Sequence, residues 1–282
     1  MKNKDFFDVL NISDNLNSVD MIQAMLGDEC LGTFFQNGSA KLYFNSGLRK
    51  EIDIKLEKLL TGKTFTWSWG TQAHENWHLA WQEHFKPVVI DNKLAVIPHW
   101  TNDKPAEITI RIKPGMAFGT GHHETTWLML SQMLKYFKPG MSVLDLGTGS
   151  GILSIAAKKM GASKVDSVEN DFDCEPNFHE NLQLNKITDG IQFHHGDVLS
   201  WNRLDYDLIL ANINQKIIEE LIPNFQNTNA KIILSGILEN NFNTIEQKFH
   251  SINFEIRENI NKGEWLCVSA FRSLKQKFVF SF

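Results

Sequence analysis

From His122 onward the chain alternates amphipathic helical periods with short apolar runs, and this alternation narrows the fold more than any other feature. A helix running to Phe137 is followed by SVLDL, KVDSVE, IQFHH, DLILAN and KIILSG, with helical stretches such as ILSIAAKKM and LENNFNTIEQKF between them. Parallel neighbours need a crossover, usually a helix, so the pattern predicts a largely parallel sheet covered on both faces, an α/β fold. The last stretch, Phe254 to Phe271, reads as two strands with no helix between them, which predicts an antiparallel pair at one edge. Hydrophobic residues at 42% and charged residues at 22% of 282 leave ample material for a core and exclude a disordered or low-complexity chain.

The first seventy residues follow another plan. FFDVLNI (Phe6 to Ile12) alternates as a strand, Ser18 offers an N-cap for a short helix, and LGTFFQ and AKLYF flank Asn37-Gly38, a strong hairpin signal. Leu48 to Leu60 is an amphipathic helix, and Thr64 to Trp69 alternates again. The order β-α-β-β-α-β predicts a small α+β, ferredoxin-like domain over 1–72. Residues 73–86, with Trp77, Trp81 and Phe85 spaced by four, predict a linker helix stopped by Pro87; a second domain then covers 87–282.

Charge and cysteine usage bound the partners. A net charge of −5 does not suit a protein that grips nucleic acid directly and points to small molecules or a basic protein. Three scattered cysteines suit a reducing compartment. No signal-like start and no run of about 18 apolar residues predict a cytoplasmic protein with no membrane contact. A monomer is expected.

His74-Glu75-Asn76-Trp77-His78 matches a zinc-protease pattern, with His84 at the spacing of a third ligand. The position that needs a glycine, so the chain turns back to the metal, is Trp81. On a continued helix His84 faces away from the other two, so no metal is expected.

The sharpest motif is Asp145-Leu146-Gly147-Thr148-Gly149-Ser150-Gly151, between an apolar strand and a helix. Glycines there allow a tight turn and let a ligand approach backbone nitrogens at a helix start. The dinucleotide fingerprint would need a third glycine at 152, which is Ile. An aspartate at the strand end suits a cation or donor of the ligand. The next strand ends in Glu169, suited to a pair of ribose hydroxyls, and the following one leads to Asp197, within reach of an adenine amino group. Three such features in order predict a nucleoside ligand.

GMAFGTGHHETT (Gly115 to Thr126), LDLGTGSGILSIAA, HENLQLN, LANI at 210–213 and GEW at 263–265 together resemble the ribosomal protein L11 methyltransferase family. Asn76-Trp77, Trp81 and Phe85-Lys86-Pro87 extend the resemblance into the linker. The resemblance implies S-adenosylmethionine as methyl donor, a seven-stranded Rossmann-like methyltransferase sheet and a ferredoxin-like domain that holds a large-subunit ribosomal protein. It places Thr126, Gly147, Glu169 and Asn212 at donor-binding positions, with the loop Phe118, Gly119 and Thr120 over the donor. Glu169 stands where an aspartate is usual, and Trp127 where an arginine or a smaller residue is common. The glycines of that loop make it a lid in expectation.

Asn212 is the expected catalytic residue. The run Asn-Ile-Asn-Gln lacks the aromatic that base-methylating enzymes stack on a flipped base, whereas an asparagine carbonyl can orient an amine. The lysine or α-amine acceptor must be neutral to react. His122, His123 and Glu124 fit a proton relay or a polar helix start equally, so no general base is assigned. Methylation of another protein, nucleic acid or small molecule, and a nicotinamide oxidoreductase, are the alternatives.

Overall fold

The computed structural model describes residues 6–13, 30–36, 39–59, 67–73, 87–113 and 124–273. The chain divides into two compact units, Met1–Phe85 and Lys86–Phe282. The helix expected after Ser18, the Asn37-Gly38 turn, the histidine pattern at 74–84 and the glycine-rich segment 114–123 lie outside the described residues.

In the first unit, β1 (Phe6–Ser13), β2 (Gly32–Gln36), β3 (Ser39–Asn45) and β4 (Trp67–Ala73) form a four-stranded sheet. Its order is β2-β3-β1-β4 with every neighbour antiparallel, the order of the split βαβ plan. Gln36 pairs with Ser39, which leaves two residues for the hairpin connection. Helix α1 (Arg49–Leu59) buries Ile52 and Leu56, one turn apart, against Leu10, Ile12, Leu42 and Phe44 at strand period two. The last strand runs later than the sequence pattern suggests. Ala73, expected to open the linker helix, closes β4 opposite Phe6, because β1 offers ladder partners that far.

Polar contacts lock the same layer. Arg49 meets the buried Asp8 at 2.7 Å, and Gly47 donates its N–H to the other Asp8 oxygen. The indoles of Trp67 and Trp69 both donate to Asp53 Oδ1 at 2.8 Å, tying α1 to β4.

The larger unit opens with a three-stranded sheet, β5 (Val88–Ile90), β6 (Leu94–Pro98) and β7 (Ile108–Ile112), in which β6 and β7 are parallel. Then follow α2 (Glu124–Tyr136), β8 (Ser142–Leu146), α3 (Ile152–Lys159), β9 (Lys164–Glu169), α4 (Cys174–Leu184), β10 (Ile191–His195) and β11 (Leu208–Asn212). Next come α5 (Gln215–Leu221), β12 (Lys231–Leu238), α6 (Phe242–Ser251), β13 (Phe254–Lys262) and β14 (Trp265–Arg272). The seven-stranded sheet has the order β10-β9-β8-β11-β12-β14-β13, with β14 antiparallel to both its neighbours. The expected edge pair is there.

The central strands are apolar throughout because each face has its own core. Val143, Val165, Leu208 and Leu210 pack with Leu128, Met133 and Ala156 on one side. Leu144, Leu146, Ile209 and Ala211 pack with Ile218, Ile245 and Phe249 on the other. Among the described residues no helix is long and apolar enough to cross a membrane.

Asp53→Ala strands two indole N–H groups at once. Loss of about 1–3 kcal/mol from the first unit is expected in urea melts followed by tryptophan fluorescence, with the second unit's transition unmoved.

Candidate active site

The period-two alternation that sorts the two cores also decides where the polar strand ends point. Asp145, Glu169 and Asn212 share parity with Val143, Val165 and Leu210, so all three lie on the face covered by α2 and α3. Their strands are neighbours, in the order β9-β8-β11. Leu146 pairs with Val168 on one side and Ala211 on the other, so Glu169 and Asn212 stand one step further, level with Gly147. Asp145 lies one pleat below. The site is therefore a triangle at the carboxyl edge of the sheet, where ligands of open α/β sheets bind.

Asp145 is fully buried, and its Oδ2 accepts hydroxyl protons from Thr148 at 2.7 Å and Ser154 at 2.6 Å. Ser154 is also 2.7 Å from Ser167 of β9. The other oxygen, Oδ1, is buried without a partner. Burial drives the Asp145 carboxyl up to about 6, against the two hydroxyls that lower it, and the nearby Glu169 charge adds to the rise.

The turn after β8 folds onto β9. Gly147 and Thr148 donate their N–H groups to Val168 O at 2.8 and 3.1 Å. Gly147 has φ 73°, and a Cβ there would lie 2.2 Å from the Ile213 side chain, so the turn and the segment after Asn212 meet at glycine distance. Glu169 accepts three N–H groups, from Gly149 at 2.9 Å, Asn170 at 2.9 Å and Asp171 at 3.1 Å. A carboxylate has about four lone-pair positions, which leaves one for a ligand hydroxyl. Asn212 is buried; its amide donates to Thr126 Oγ1 at 3.4 Å, while Oδ1 has no partner.

Around this triangle lies a cleft of about 650 Å³, a common size for a small-ligand site. Gly147, Gly149, Glu169, Asp197 and Asn212 line it. Asp197 is at its rim and caps its own turn, accepting from Leu199 N at 3.0 Å. Asp145 and Thr126 do not line the cleft: Asp145 is buried one pleat below the strand edge, and Thr126 acts on Asn212 from behind, while Thr125 is in the wall. Phe118, Gly119 and Thr120 lie outside the described residues. Gly236 of β12 and Trp265 of β14 line the cleft without having been singled out one by one; GEW alone signalled Trp265. Cys174, also in the wall, is a neutral thiol, pushed up to about 12 by burial and by the carboxylates of Glu169 and Asp171. Trp127 packs on the first core with Lys262 Nζ 4.5 Å from its ring, so this departure sits on the α2–β13 seam. Among the described residues no group of three or more His, Cys, Asp or Glu is placed to hold a metal. A larger hollow of about 960 Å³ lies at the opposite edge of the sheet, beside Ser142, Asp207 and Lys231, and contains none of the motif residues.

The donor set fits S-adenosylmethionine: an unpartnered buried carboxylate oxygen suits an ammonium, a strand-end acid a ribose, and a glycine turn a close approach. This sheet and this site define the class of S-adenosylmethionine-dependent methyltransferases. Residues 15–273 match the family model described as ribosomal protein L11 methyltransferase (PrmA). A ribosomal protein L11 methyltransferase of Lactobacillus johnsonii is 42% identical over 200 residues, 69% of this chain and 63% of that protein. One from Lactobacillus gasseri is 35% identical over 260 residues, 89% of this chain and 82% of that protein. The crystal structure of ribosomal protein L11 methylase from Lactobacillus delbrueckii subsp. bulgaricus superposes with TM-score 0.62 at 31% identity, covering 67% of this chain and all of that one. The chain belongs to the ribosomal protein L11 methyltransferase family, whose members are S-adenosylmethionine-dependent protein methyltransferases.

Asp145 carries a pH signature. Its folded value of about 6 exceeds the ordinary 3.8, so the folded state holds the extra proton between these values. Stability from this group therefore falls as pH rises through that window and is level above it. Asp145→Asn keeps the acceptor for Thr148 and Ser154 and removes the slope. Urea melts should show the variant gaining on the wild type by on the order of 3 kcal/mol between about pH 4 and 7, and a constant difference would contradict the assignment.

Proposed function

We propose that this protein transfers methyl groups from S-adenosylmethionine to amines, lysine side chains or the N-terminal α-amine, of ribosomal protein L11 in the cytoplasm. The observation that carries this reading is Asn212: a buried side-chain carbonyl with no partner, level with the glycine turn and held from behind by Thr126. Bound at this site, S-adenosylmethionine supplies an activated methyl group for in-line transfer.

The chain's own residues do the positioning. Glu169 offers its remaining lone pair to a ribose hydroxyl. Asp145 Oδ1 offers a charge to an ammonium, which offsets the cost of burying the carboxylate ionised. Asp197 sits at the rim for the adenine amino group, and Thr126 takes the Asn212 amide, which leaves the buried Oδ1 without a partner. That oxygen can accept an N–H of a neutral amine and hold its lone pair in line. The site selects the neutral form, because a protonated amine has no lone pair to give.

A substrate amine on a protein also needs a grip. Residues 1–73 carry an α+β unit without any cofactor motif, and we assign the hold on the ribosomal protein to them, with 74–86 as linker and 87–282 as the methyltransferase domain. The glycine-rich loop through Phe118, Gly119 and Thr120 is assigned to cover the donor.

Glu169→Ala should weaken S-adenosylmethionine binding about 10- to 100-fold in calorimetry, and an unchanged affinity would remove Glu169 from the site. Asn212→Ala should cut methylation of purified ribosomal protein L11 by on the order of 100-fold, with a far smaller loss of donor affinity. A chain starting at Lys86 should keep donor binding and lose methylation of the ribosomal protein. Full activity without the first unit would overturn the grip.

A further inference from the structure

Helix α4 carries Asn177 and Asn181, and Asn185 caps its C-terminus, so three amides spaced by four stand in one row. Two of them belong to HENLQLN, a phrase to which methyl transfer assigns no task. The row faces β7, an edge strand of the three-stranded sheet. Asn185 accepts from Arg111 N at 2.9 Å and donates to Arg111 O at 2.6 Å. One side-chain amide thus replaces the neighbouring strand that Arg111 lacks.

At Lys113, two residues on, the arrangement changes. Asn181 accepts from Lys113 N at 2.8 Å, but Lys113 O is taken by Asn177 at 3.1 Å. The amide protons of Asn181 go elsewhere, to Ser150 O at 2.9 Å and to Asn177 Oδ1 at 3.3 Å. Ser150 lies in the glycine turn. If the row served only to anchor α4 on β7, one asparagine would pair Lys113 as Asn185 pairs Arg111. Two share it instead, which frees Asn181 to reach the turn. Asn181 is fully buried, so neither contact is made by water in its place. Helix α4 also meets the turn through Phe178, whose ring lies where a Cβ on Gly151 would come within 2.7 Å.

We propose that Asn181 is a positioning residue for the methyl-donor site: it braces the Gly149–Gly151 turn, through Ser150 O, against strand β7. Glu169 holds the same turn from the other side by the Gly149 N–H, so the turn is fixed between a carboxylate on β9 and an amide on α4. Asn177 supports the brace by accepting one Asn181 proton. The inference rests on the reading of this turn as the donor site.

The same chemical change at two places in the row separates positioning from anchoring. Asn181→Asp keeps the acceptor for Lys113 N and loses the donors to Ser150 O and Asn177 Oδ1. Asn185→Asp keeps the acceptor for Arg111 N and loses the donors to Arg111 O and to the Asn181 carbonyl. In the full chain both should lower the melting temperature. Calorimetry with S-adenosylhomocysteine should give a Kd about 10-fold higher for Asn181→Asp and within about twofold of wild type for Asn185→Asp. In steady state the KM for the donor should rise in Asn181→Asp while kcat stays within about threefold. Equal losses of affinity in both variants, or an unchanged Kd in a folded Asn181→Asp, would overturn the proposal. Should Asn181→Asp not fold, Asn177→Ala decides, since it removes the support and the bond to Lys113 O but leaves the Asn181 amide on Ser150 O: about threefold weaker binding is expected, and none would overturn the brace. A wild-type chain that binds no S-adenosylhomocysteine would refute the reading of the site itself.

Discussion

In the seven-stranded sheet, one pleat below its carboxyl edge, the carboxylate of Asp145 is buried on the face that the larger apolar core covers. Taking that group out of water is costly, and the chain offsets the cost locally. Thr148 turns back to donate to it, which folds the glycine turn down over the strand. Ser154 donates from the first turn of α3, which sets where the helix begins, and Ser167 joins β9 to the same network. One oxygen stays unpartnered. The turn, the helix start and the neighbouring strand thus take their places from one buried acid.

Sheet geometry does the rest. Parallel strands in register bring residues of equal height side by side, so the ends of β9 and β11 place Glu169 and Asn212 on either side of Gly147. Their shared parity points both at the α2–α3 face, and α2 then supplies Thr126 to hold Asn212. The larger hollow at the amino edge shows how little volume alone says about chemistry. Its Asp207 already accepts from Ser142 N and Oγ, both at 2.8 Å.

Much of this was legible in the sequence. Helix–strand alternation from His122, the two helix-free terminal strands, and Asp145, Glu169 and Asn212 at the ends of β8, β9 and β11 all follow from local patterns. What was not legible depends on partners distant in the chain. Ala73 belongs to a strand because Phe6 lies opposite it, 67 residues earlier. The pairing of β6 with β7 has no local signal, and the row on α4 reads as an ordinary polar helix face until Arg111 and Lys113 are set beside it. Gly236 enters the cleft only through the sheet order that puts β12 next to β11. HENLQLN was visible as a resemblance, whereas its work was hidden in hydrogen bonds spanning up to 74 residues.

The central claim is that the edge of β9-β8-β11, and not the larger hollow, is where the methyl donor binds. A crystal structure of the full chain with S-adenosylhomocysteine tests it most directly. The account predicts a ribose hydroxyl on the Glu169 carboxylate, the ammonium group on the side of Asp145, and the sulfur facing the Asn212 carbonyl. Ligand density beside Ser142 and Lys231, with the Glu169 edge empty, would contradict it.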